Sequence, residues 1–218
     1  MDETARPSAP PPPASGGGSQ FFSDLMAQID VQDITARISE MLSAPNAAWA
    51  RIKSDTFTVE QLYKKFVIPM VVASALCNFI GGAILGPATF GGGISLIFIQ
   101  VLGGLVSPFI GYFLLSFLVP NFGGSASKGD IFKFLVFPML VSSAASMFSI
   151  IPDLSILSIV RALISLAGGV YALYLLWLGV PIMLGVSDER RPGLFIALVG
   201  LVIVCLTVFV WMASVLML

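Results

Sequence analysis

Few side chains in this 218-residue sequence could carry chemistry, and their types narrow what that chemistry is. Asn78, Gln100 and Arg161 are polar groups inside long apolar runs. In a lipid-embedded segment such groups line a solute path, meet a lipid headgroup or hydrogen-bond between helices. Arg161 at a helix centre would cost about 3 kcal/mol on the insertion scale and would mark function. A span from Leu163 to Leu184 instead leaves it at the outer headgroup level near Asp153, as an anchor. Asn78 and Gln100 suit hydrogen bonds between helices, and Ser142, Ser143 and Ser146 are the other polar groups within these runs. Ser187, Asp188, Glu189, Arg190 and Arg191 form the densest polar feature. That run reads as a solvated turn, and it is also the best surface for a protein partner.

Other chemistry is excluded by what is missing. There is no histidine, the commonest general base and metal ligand. Cys77 and Cys205 lie in apolar runs of different segments and read as small buried side chains. Neither GPATFGGG nor GGSASKG ends in the Gly-Lys-Ser/Thr of a phosphate loop. No nucleophile–base pair is visible, so no catalytic, cofactor-binding or metal-binding residue is assigned, and no cofactor is expected. A net charge of −1 offers no basic face for nucleic acid.

These residues must be positioned by membrane helices. The chain is 57% hydrophobic and 11% charged, whereas a soluble domain is about one quarter charged. Fourteen of the 23 charges fall within residues 1–65, and residues 66–127 carry none. Five apolar runs, about 62–86, 94–119, 131–151, 156–184 and 194–217, each exceed the roughly 20 residues that cross a bilayer as a helix. Thr58 and Gln61 have capping-box spacing at the start of the first run. The fold class is therefore an all-α membrane protein, a five-span bundle occupying residues 58–218.

Before it, residues 1–20 are a Pro/Gly/Ser-rich tail with too little apolar surface to order itself. Residues 21–57 are expected to form a cytosolic amphipathic helical region. Phe21, Phe22, Leu25 and Ile29 recur at helical spacing, then Ile34, Ile38, Met41 and Leu42, with Asp33 as the expected N-cap of the second run. Such a helix rests on lipid or packs on the protein's own cytosolic face. Trp49 is expected to anchor at the membrane interface.

Ten of the eleven lysines and arginines lie before residue 66, in the 120–133 region or in the 185–193 loop. With five spans these three regions share one side, which places the N-terminus in the cytoplasm and the C-terminus outside. VIPMVVASA (67–75) matches VFPMLVSSA (136–144) at six of nine positions. The match is either chance among apolar runs or two parallel two-span repeats plus a fifth helix. Pro69, Pro108, Pro138 and Pro181 are expected to kink their helices, shaping the bundle or opening a cavity. Small residues spaced four apart, such as Gly82 and Gly86, serve internal packing or contact with a second copy.

MLSAPNAAWARIKSDTFTVEQLYKKFVIPM and YALYLLWLGVPIMLGVSDERRP resemble the YIP domain family (Ypt-interacting proteins) in its bacterial form, over roughly residues 35–217. The resemblance implies five spans with a cytosolic N-terminus, here in a bacterial inner membrane. Eukaryotic members are associated with lipid-modified Rab-type GTPases. The acidic, tyrosine-containing motif those members carry before the first span is absent here. The resulting expectation is a non-enzymatic membrane protein that organises or recruits a membrane or cytosolic partner. The alternative is a small transporter or channel lined by Asn78, Gln100 and Arg161.

Overall fold

A computed structural model describes residues 30–84, 90–151 and 155–216. The tail 1–20 and the first amphipathic run, Phe21 to Ile29, lie outside the described residues, as does the expected turn at Pro152-Asp153. Every regular element among the described residues is helical.

α1 (Val31–Ser43) begins at Asp30, whose carboxylate accepts the backbone N–H groups of Gln32 and Asp33, each at 3.0 Å. The cap is thus Asp30 and not the expected Asp33. Both positions offer an acid near the helix start, but only Asp30 has the extended backbone that turns its oxygen onto free N–H groups. Asp33 sits in the first turn, where the helix dipole favours it. α1 buries Ile34, Arg37 and Met41 and leaves Val31 and Leu42 exposed.

Ala44 breaks the helix, and Pro45 opens α2 (Pro45–Ser54), a position where its missing N–H costs nothing. Trp49 is fully buried and stacks on Phe134 at 5.9 Å. It is a core residue, which corrects the expectation of an interface anchor.

The first span is assembled from α3 (Val59–Leu62), a π-helical turn at Tyr63–Val67, α4 (Ile68–Phe79) and a second π turn at Ile80–Ile84. The capping box is formed: the Gln61 backbone N–H donates to the Thr58 hydroxyl at 3.2 Å, and the Thr58 N–H donates to the Gln61 side chain at 3.0 Å. The wide turn precedes Pro69, whose ring would crowd the Lys65 carbonyl in a regular helix. No such turn precedes Pro138, so the two matching segments differ locally.

α5 (Phe90–Asn121), α6 (Lys128–Ser146, continued by a 3₁₀ turn at Met147–Ile150) and α7 (Ser155–Leu184) follow. α8 (Arg191–Leu216) ends the described chain. Among the described residues, four segments are long and apolar enough to cross a membrane: Val59–Gly82, Ile97–Asn121, Lys128–Ile150 and Leu157–Leu184. The protein is a multi-pass integral membrane protein. The helices continue through Pro108, Pro138 and Pro181.

The third span is the axis of the bundle. Half of the positions in its apolar stretch are buried, against 11% in the second span. Phe132, Phe134 and Phe137 on α6 are fully enclosed, with Phe66 beside Phe137 at 5.5 Å and Tyr112 stacked on Phe132 at 4.9 Å. Gly81 permits the closest backbone approach: a Cβ there would meet the Ser149 carbonyl oxygen at 1.7 Å. α5 and α7 have 32 and 30 residues, or about 45 to 48 Å at 1.5 Å per residue, against a hydrocarbon core of about 30 Å.

A candidate partner face at the charged end of the bundle

Pro181 organises this end of the bundle. A proline has no N–H, so it leaves the carbonyl four residues earlier, that of Trp177, without its helical donor. Arg191 supplies the replacement, donating from Nε at 2.9 Å and from the second terminal nitrogen at 2.6 Å. The same guanidinium lies 4.2 Å from the centre of the Trp177 ring, and Phe195 packs edge-on against that ring at 5.2 Å. Arg191 is thereby tied to the bundle, with a looser contact to Asp188 at 3.5 Å. Ser187, Asp188, Glu189 and Arg190 remain exposed on the turn it anchors. The turn begins at Gly185, held at φ +66°, and the Leu184 carbonyl accepts the Ser125 N–H at 3.1 Å. The loops before α6 and before α8 therefore form one surface.

Helix ends expose carbonyls that no backbone N–H reaches, and here side chains from other elements reach them. Tyr171 donates to the carbonyls of Met41 and Leu42 at the end of α1, at 2.9 and 3.2 Å. Lys53 donates to the Ile182 carbonyl at the end of α7. Farther inside α7, Trp49 donates its indole N–H to the Leu175 carbonyl at 3.0 Å, nine residues before the helix ends. Contacts 41–171, 49–175 and 53–182 lay the two N-terminal helices along about the last four turns of α7.

Two buried cations complete the dock. Arg37, 6% exposed, pairs with Asp33 at 3.2 Å and Asp55 at 2.5 Å, beneath the rings of Phe57 and Phe137. Burial disfavours the charge on Arg37, but the hydrogen bonds it donates to both carboxylates and their negative charge outweigh it, and its pKa is raised. Lys133, 4% exposed, spends its three N–H groups on Asp130 and on the carbonyls of Lys53 and Asp55, at 3.0, 3.1 and 3.0 Å. Asp55 thus binds Arg37 with its side chain and Lys133 with its backbone.

The polar groups inside the apolar runs are spread out. Asn78 donates to the Ser74 carbonyl at 2.9 Å, and Gln100 donates to the Ser74 hydroxyl at 3.3 Å. They meet at one serine between the first and second spans, each hydrogen-bonded to protein. Arg161 is half-buried on α7 and interacts with a neighbour. Ser107 donates to the Gly104 carbonyl, which Pro108 deprives of a donor, at 3.3 Å. Cys77 is a free, half-buried thiol. Among the described residues no group of three or more His, Cys, Asp or Glu side chains could hold a metal ion.

The family model described as the Yip1 domain matches residues 39–212, most of the chain. The chain belongs to this family. No curated protein and no solved structure matches it.

The Yip1 match begins inside α1, two residues after Arg37. The Arg37–Asp55 pair therefore fastens a residue ahead of the Yip1 domain to one within it. Sequence reasoning singled out neither Arg37, Asp55 nor Lys133. A signal existed for two of them. Arg37 falls between Ile34 and Met41 on the apolar face of α1, and Lys133 sits inside an apolar run. A charge at a core-facing position needs buried partners.

Proposed function

We propose that this Yip1-family protein is a non-enzymatic membrane organiser that recruits a protein partner through its charged end. The observation that carries the reading is the exposed Ser187–Arg190 turn, held on a fixed base by Arg191 and set on the same end as the docked N-terminal helices. A binding surface gains affinity when its supports are already ordered. In this reading α8 is a fifth span, the N-terminal region enters from the cytoplasmic side, where the charged end also lies, and the C-terminus lies outside. Lysine and arginine placement supports that orientation. The family resemblance supports a bacterial inner membrane.

Photo-crosslinking side chains at Ser187 and Arg190 in native membranes test the reading. A specific protein captured at both positions is the expected outcome. Capture of lipid alone at both removes the recruiting role, and a cytoplasmic reporter signal from Leu218 removes the orientation.

A further inference from the structure

A groove of about 690 Å³ separates α1 from the first span. Ile34 and Ile38 form one wall, Pro69, Val72 and Leu76 the other, and Met147 part of the floor. Thr35 also lines it, but its hydroxyl is turned back onto the Val31 and Gln32 carbonyls of its own helix. The lining is hydrocarbon almost throughout.

Its place along the span identifies its occupant. The lining residues of the first span run from Ile68 to Leu76, about 12 Å of helix, starting three residues past Lys65. Val72 and Leu76 are 41% and 49% exposed, so the groove opens onto the lipid-facing side of a membrane span. A polar ligand would forfeit its hydrogen bonds there. An extended hydrocarbon chain fits its volume, its lining and its depth.

We propose that this groove is a binding site for one acyl chain of a bilayer phospholipid, seated between α1 and the first span. The proposal rests on Val59–Gly82 being a membrane span and not on partner recruitment. A seated chain touches Ile34 and Ile38, so the lipid contributes to holding α1 against the bundle.

The test uses the full chain in nanodiscs of phosphatidylcholine doped with a phosphatidylcholine bearing a diazirine on its acyl chain, with cross-links mapped by mass spectrometry. Expected is labelling of Ile34 and Ile38 on α1, together with general labelling of lipid-facing Leu163 and Leu166 on α7. Ala73→Trp and, separately, Val72→Trp fill the groove. Each is expected to lower α1 labelling several-fold while leaving Leu163 and Leu166 unchanged in monodisperse protein. Three results overturn the proposal. The first is α1 labelling unaffected by both variants. The second is labelling by a free diazirine fatty acid but not by the phospholipid. The third is α1 labelling that appears only after removal of residues 1–29, which would make the chain's own N-terminal segment the occupant.

Discussion

Arg191 donates two hydrogen bonds to the Trp177 carbonyl, the one acceptor that Pro181 withdraws from the α7 ladder. The proline and the arginine are ten residues apart and belong to different helices, yet one supplies what the other removes. This pairing converts a helix defect into a joint between α7 and α8.

The joint predicts a coupled pair of substitutions. Arg191→Ala leaves the half-buried Trp177 carbonyl without its donor and should cost about 1.5 to 3 kcal/mol, the usual range for a hydrogen bond to a charged group. In a Pro181→Ala background the helical N–H returns, and the same arginine change should cost markedly less. Thermal unfolding of the four proteins in one detergent gives the coupling energy. Additive costs would refute the pairing.

Arg37 should behave as a latch for α1. Arg37→Ala leaves the Asp33 and Asp55 carboxylates facing the dock without their cation and should cost about 3 kcal/mol. Limited trypsin digestion reads the consequence directly: cleavage after Arg51 and Lys53 should accelerate while the spans stay intact. Unchanged digestion would mean that α1 is held mainly by apolar contacts.

Trp49 separates packing from hydrogen bonding. Trp49→Ala removes a fully buried side chain and should destabilise by about 3 to 5 kcal/mol. Trp49→Phe keeps a ring against Phe134 but loses the donor to the Leu175 carbonyl, for a loss of about 1 to 3 kcal/mol. Chemical denaturation of both variants, followed by circular dichroism, orders the two contributions.

The exposed turn should tolerate change without loss of stability. Asp188→Lys with Glu189→Lys should alter unfolding by no more than about 0.5 kcal/mol, as surface substitutions do. The same pair should abolish partner capture from Ser187. A large stability loss would show that these acids, like Arg191, belong to the fold.

The helices and four of the five expected spans were legible in the chain because they are written in local terms. Hydropathy and the 3.6-residue period place the five long apolar runs on helices among the described residues, and Thr58 with Gln61 announces its own cap. The choice of Asp30 over Asp33 was not legible, since two acids three residues apart satisfy the same pattern and only backbone dihedrals separate them.

Of the expected loop, tertiary structure divides one residue from the rest. By sequence alone, Arg191 is one of four successive charges; in the fold it lies on Trp177, while Asp188, Glu189 and Arg190 stay in the open. Arg37, Asp55 and Lys133 follow the same rule. Hydropathy determined which segments leave water, because that depends on composition within one helix. Which polar side chains serve the fold was decided only by assembly. The carbonyls that Arg191 and Lys133 satisfy, before a proline and at a helix end, find these donors on other elements.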